Sequence, residues 1–124
     1  TGSLPIQIAC SYRLPVEIIW WLLDRGTEKK TMLERDDTGN LIIHIACLYR
    51  LPAKVIWWLL DRDTEKKMIL EKDDKGNLPI HIACLYMLPA EVIWWLLDRD
   101  TEKKTMLEKD DKGNLPIHIA CLYM

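Results

Sequence analysis

The sequence repeats itself. Gly2, Gly39, Gly76 and Gly113 fall 37 residues apart, and the segments they open are copies of one unit. Residues 76–112 give it in full: GNLPIHIACLYMLPAEVIWWLLDRDTEKKTMLEKDDK. Residues 39–75 differ from that at five positions: Ile42/Pro79, Arg50/Met87, Lys54/Glu91, Met68/Thr105 and Ile69/Met106. Residues 2–38 follow it more loosely, and residues 113–124 carry the first third of a fourth copy. A unit this short cannot bury its own apolar face, so neighbouring copies must stack. The expected fold class is all-α, an α-solenoid of stacked helix-turn-helix units with about seven main helices and short helical turns in the long loops. The domain expectation is one array over 1–124, with repeats at 2–38, 39–75 and 76–112 and a partial repeat at 113–124. Because the chain begins in mid-repeat, it reads as a processed form or a window cut from a longer array.

Each unit opens with a turn, Asp-Asp-Lys-Gly-Asn at 110–114, rich in residues that accept left-handed backbone. Pro5, Pro79 and Pro116 follow, where proline suits the first turn of a helix. The first helix is expected over 79–87. At 100° per residue Ile80, Ala83, Cys84 and Met87 share one face, and His81, Ile82, Leu85 and Tyr86 the other. Leu88-Pro89 breaks the chain and starts a second helix to Arg99. Its buried stripe is Ala90, Val92, Ile93, Leu96 and Leu97, with Trp94 at the rim. Glu91, Trp95, Asp98 and Arg99 project the other way. Residues 101–107 are expected to form a short amphipathic turn, capped at Asp100/Thr101, that tucks Met106 and Leu107 under a charged, solvated loop.

Composition excludes several classes. A formal net charge of −2 with 29 % charged residues gives neither the basic surface that binds nucleic acid nor a polybasic membrane anchor. Residues 78–97 are apolar enough to raise a membrane span, but Pro79, His81, Pro89 and Glu91 fit two separate helices better. A membrane surface is an unlikely partner, and without a signal peptide or span the default compartment is the cytoplasm. Cys10, Cys47, Cys84 and Cys121 are one position of the unit, about 10 Å apart in a stack. That is too far for disulfides, so four buried thiols are expected.

The run Gly76-Asn-Leu-Pro-Ile-His-Ile-Ala-Cys, followed by Glu91-Val-Ile and Leu96-Leu97, resembles the ankyrin repeat. The family pattern is G-x-T-P-L-H-x-A-A, a short loop, E-I-V-x-x-L-L, and a loop returning to D-x-x-G. Gly76, Pro79, Ile80, His81, Ala83, Cys84, Glu91, Val92, Ile93, Leu96 and Leu97 take its signature positions, and Asp110 and Gly113 fit the connecting turn. Two departures stand out. Leu4, Leu41, Leu78 and Leu115 replace the family's threonine, and the unit has 37 residues against the family's usual number of about 33. The resemblance implies antiparallel helix pairs stacked into a curved solenoid, no catalysis, and protein binding through the loops and first helices.

His44, His81 and His118 each precede a cysteine by three residues, a spacing that can supply two metal ligands. The next such pair lies a whole repeat away, and Gln7 replaces the histidine in repeat one. A structural histidine is therefore expected, with no metal, no cofactor and no small-molecule substrate. No nucleophile has a base and an orienting group beside it, and there is no phosphate-binding glycine loop, so no catalytic residue is assigned. The candidate partner-binding residues are apolar. In the resembling pattern Trp20, Trp21, Trp57, Trp58, Trp94 and Trp95 take the two outward positions of the second helices, and the helical wheel sets Trp21, Trp58 and Trp95 nearly opposite the buried stripe. Stacking would line them into a ladder. Ile45, Leu48 and Tyr49, with Ile82, Leu85 and Tyr86, make a second strip on the inner side. Such patches mark interaction sites. The leading expectation is a non-enzymatic structural scaffold that self-associates, end to end or laterally, into a filament or higher-order assembly, its partner being other copies of itself. The alternative is an adaptor binding a different protein through the inner face or the Trp ladder.

Overall fold

The computed structural model describes residues 4–26, 29–101 and 103–123, the side chains of 26, 29, 30 and 121–123 excepted. Seven α-helices follow in order among them: α1 (Pro5–Ser11), α2 (Val16–Gly26), α3 (Ile42–Leu48), α4 (Ala53–Arg62), α5 (Pro79–Leu85), α6 (Ala90–Arg99) and α7 (Pro116–Tyr123). Short 3₁₀ turns lie at Lys29–Leu33, Met68–Leu70 and Thr105–Leu107. No strand occurs among the described residues. The helices stack in two rows. α1, α3, α5 and α7 pack side by side as the inner row, and α2, α4 and α6 as the outer row, each outer helix also packing on its own inner partner. This is the expected helix-turn-helix solenoid.

The inner helices start without a hydroxyl cap. Leu41, the residue before α3, has no side-chain acceptor, so the third helical residue acts instead: His44 Nδ1 accepts the Leu41 N–H at 3.0 Å. His81 does the same for Leu78 at 3.0 Å, and in repeat one Gln7 Oε1 accepts the Leu4 N–H at 2.7 Å. One of the otherwise orphaned N-terminal donors is thereby satisfied.

These helices end sooner than the periodicity predicts: α5 stops at Leu85, not Met87. Met87 has φ 52°, in the left-handed region, as do Arg13 and Arg50 at the same position. The Leu88 N–H donates to Ala83 O at 3.0 Å and the Met87 N–H to Cys84 O at 3.2 Å. This is a Schellman ending, repeated by Leu51 and Arg50. Leu51 and Leu88 are buried at its base.

Each connecting turn is built by its first aspartate. Asp73 Oδ1 accepts N–H bonds from Lys75 and Asn77, while the Asp73 N–H donates to Asn77 O at 2.8 Å. Gly39, in the turn before, has φ 91°, and a Cβ there would stand 3.2 Å from that of Asp74 in the next turn. Conformation and inter-repeat packing both call for glycine at this point.

The long loops depend on another aspartate. Asp63 is buried, and its carboxylate accepts the backbone N–H groups of Lys67 and Met68 at 3.1 and 2.9 Å. Asp100 repeats this with Lys104 and Thr105, and adds the Thr105 hydroxyl at 2.6 Å. Burial pushes the Asp63 carboxyl above its usual range, and the two backbone donors pull the other way. Gly26 stands at this position in repeat one, where α2 continues through it and the following 3₁₀ segment spans five residues rather than three. One expectation for this region is corrected. Thr105, not Met106 or Leu107, is the tucked residue of the third loop; both of the latter are exposed. In the first loop Met32 is buried, and that loop packs on α3 and α4. The third packs on α7, and no outer helix beyond α6 lies among the described residues.

Candidate interaction surfaces

The inner face is formed by the C-terminal ends of α1, α3 and α5 and by the aspartate turns facing them. Tyr49 and Tyr86 stand 46 % and 40 % exposed on it, with Leu48 and Leu85 partly buried beside them. Ile45 and Ile82, expected on this strip, lie beneath it, Ile82 at the floor of a recess. They are 1 % and 2 % exposed, because α3 and α5 are each covered by an inner neighbour on both sides and by an outer partner. Two recesses lie along the face. One, of about 220 Å³, is lined by Leu48, Ile82, Leu85 and Tyr86 together with Asp73, Lys75, Asp110, Asp111 and Lys112 of the turns. The other, of about 440 Å³, is lined by Ile8, Ser11, Tyr12 and Tyr49 with Asp36 and Asp37. Tyr12, 78 % exposed, belongs to this surface and was not among the candidates, although it is the repeat-one counterpart of Tyr49.

On the outer face the tryptophans do form a ladder, but a staggered one. Trp20 packs on Trp58 at 4.9 Å between ring centroids, and Trp57 on Trp95 at 5.1 Å. The first tryptophan of one repeat thus meets the second of the next. Arg62 lies over the Trp20 ring at 5.1 Å and Arg99 over Trp57 at 4.7 Å. Each such ring pair contributes about 0.5–1.5 kcal/mol beyond area burial, and each guanidinium about 0.5–1 kcal/mol at an exposed site. Trp58 and Trp95, expected to point away from the core, are partly buried and packed against it. Trp94, expected at the rim, is 64 % exposed, and Trp21 is exposed as well. The arginines escaped the sequence reading, although Trp58 and Arg62 are four residues apart and so share a helix face.

The histidines hold the stack from inside. His44 Nδ1 accepts from Leu41, so the ring proton sits on Nε2, which donates to Glu71 O at 2.8 Å. His81 reaches Glu108 O, and Gln7 Nε2 donates to Glu34 O, each at 2.8 Å. Burial lowers the His44 pKa from its ordinary value of 6.5, with the Glu71 carbonyl opposing. Cys10, Cys47 and Cys84 are free and buried, and burial pushes their thiols up to about 12, 12 and 11. Such groups are packing residues rather than nucleophiles. The Cys121 side chain lies outside the described residues. Among the described residues no cluster of three or more His, Cys, Asp or Glu side chains could hold a metal, and no helix is long and apolar enough to cross a membrane.

No curated protein matches the chain. The sequence model described as ankyrin repeats (3 copies) matches residues 6–107, most of the chain. With its two-row helical stack and repeating turns, the chain belongs to the ankyrin-repeat family, whose members serve as protein–protein interaction modules.

Proposed function

We propose that this chain is a non-enzymatic scaffold that binds a different protein along its inner face. One observation carries this reading. Tyr49 and Tyr86 are half exposed next to the partly buried Leu48 and Leu85, so the inner face offers an aromatic side chain beside an apolar one at successive repeats. Tyrosines beside apolar side chains have the chemistry of binding hot spots, since a rigid ring brings much contact area at little entropic cost. The outer face competes less well, because four of its six tryptophans are already paired with each other. A photo-crosslinking residue at Tyr49, and separately at Trp21, tests this. Adducts with one distinct protein from Tyr49 and few from Trp21 support the inner face. The reverse pattern sinks it.

A second reading, association of copies into a filament, is favoured by a separate observation. Ile117 is 54 % exposed, whereas its counterpart Ile80 is 2 % exposed. Light scattering across a concentration series, with negative-stain electron microscopy, decides the matter. Growth that Ile117→Glu abolishes supports self-association, and a monomer at every concentration excludes it.

A further inference from the structure

A separate recess lies on the outer face, between α2 and α4. Its volume is about 300 Å³, and it is lined by Val16, Glu17, Trp20 and Trp21 of α2 and by Lys54 and Trp58 of α4. Ligand pockets run from about 300 to 1,000 Å³, so this one suits a single small group. Part of its wall is the Trp20–Trp58 pair, whose rings are packed on each other. Trp21 differs. It is 55 % exposed, and no ring packs on it among the described residues. It follows Glu17 by one helical turn, so the carboxylate and the open indole share a helix face. Lys54 holds Glu17's position in the next repeat. Neighbouring helices pack at about 10 Å, yet no salt bridge joins these two side chains, and neither has a hydrogen-bond partner among the described residues. The second junction reverses the order. Lys54 precedes Trp58 there, Glu91 precedes Trp95, and both of those rings are partly buried.

We propose that the recess between α2 and α4 binds a small zwitterion in which a quaternary ammonium is joined to a phosphate by a short spacer, the phosphocholine group. The ammonium rests on Trp21 beside Glu17, and the phosphate meets Lys54. A quaternary ammonium has no N–H to satisfy and is drawn to the face of an aromatic ring, tryptophan best of all. A primary ammonium would give up hydrogen bonds to water that an indole face does not replace. Lys54 opposes a ligand that is only a cation, and Glu17 opposes one that is only an anion. A zwitterion meets both charges with the complementary sign. The site stands apart from the inner face and does not depend on the reading given for it.

Calorimetric titration of the whole chain with phosphocholine, choline and phosphoethanolamine tests this. Phosphocholine is expected to bind about tenfold more tightly than either of the others, the ratio that about 1.4 kcal/mol of cation–π and charge complementarity gives. Trp21→Ala and Glu17→Gln should each weaken it about tenfold. Lys54→Ala should leave choline untouched and remove the advantage of phosphocholine over it. Trp94→Ala, at an exposed outer-face ring outside the recess, should change nothing. Sedimentation with phosphatidylcholine vesicles then separates the sources of the group. Retention that Trp21→Ala abolishes marks a lipid headgroup, and binding of the free group alone marks a soluble ligand. Absence of phosphocholine binding, equal affinity for choline or phosphoethanolamine, or equal losses with Trp94→Ala and Trp21→Ala overturn the proposal.

Discussion

Along the inner row, repeat two is closed by His44, which takes the Leu41 N–H on one ring nitrogen and gives a proton to Glu71 O with the other, out of reach of water. Along the outer row, neighbouring repeats are joined by Trp57, Trp95 and Arg99, stacked at a surface that water reaches. Buried polar groups are costly unless every partner is present, so the inner staple is close to all-or-none. Stacked rings and guanidinium groups lose only part of their energy when one is removed. The array thus places its exacting contacts inside and its forgiving ones outside.

The sharpest way to break this contrast is His44→Ala, which leaves the buried Leu41 donor unpaired and takes the partner from the Glu71 carbonyl. We expect a loss of about 3 kcal/mol, read from the urea midpoint. His44→Gln should recover most of it, because Gln7 performs both bonds in repeat one. A recovery no better than alanine would show that the ring's packing, not its hydrogen bonds, matters.

Next comes Trp58→Ala, which removes a ring from the clasp on Trp20 and part of the core contact, at about 1.5 kcal/mol. Trp94→Ala, at a more exposed ring, should cost less than about 0.5 kcal/mol. Equal losses would mean that the ladder contributes nothing beyond local burial.

Acid separates the two rows. The folded-state pKa of His44 lies below its ordinary 6.5, so between those values the unfolded chain binds the extra proton. Stability from this site is intact above pH 6.5 and is lost as pH falls below it toward the folded value. Protonation would also set an Nδ1–H against the Leu41 N–H. Urea midpoints at pH 7.5 and 5.5 should therefore differ more in the native chain than in His44→Gln. Identical differences would place the acid sensitivity elsewhere.

An effect of opposite sign belongs to Arg50→Gly. Arg50 holds φ 52°, a conformation that favours glycine, so a gain of about 0.5 kcal/mol is expected. A loss would mean that the arginine side chain has a partner worth more than the backbone strain.

The two-helix unit was legible because its apolar spacing, prolines and turn residues recur at a fixed interval, and the structural role of the histidine was readable from Gln7. The pairing of tryptophans was not. A helical wheel fixes directions about one axis but not the offset between neighbouring helices, and it is that offset that sets Trp20 on Trp58. Ile45 and Ile82 were misplaced for a related reason. A wheel with two apolar faces cannot say that stacking covers both. Of the inner strip, the tyrosines and leucines at the helix ends were readable, because ends protrude where middles are enclosed. Met106 was misjudged because its cover depends on a neighbouring helix rather than on its own loop.

The staggered ladder has an optical consequence. Indole rings 4.9 and 5.1 Å apart are close enough for their transitions to couple, and the coupling dies once the two repeats part. The junction between repeats one and two, and that between two and three, each hold one such pair, while Trp21 and Trp94 lie outside both. Near-ultraviolet circular dichroism of the native chain, set against Trp58→Phe and Trp95→Phe, would assign a signal to each junction. Whether a stacked array opens from one end or gives way all at once could then be followed joint by joint, with no label attached.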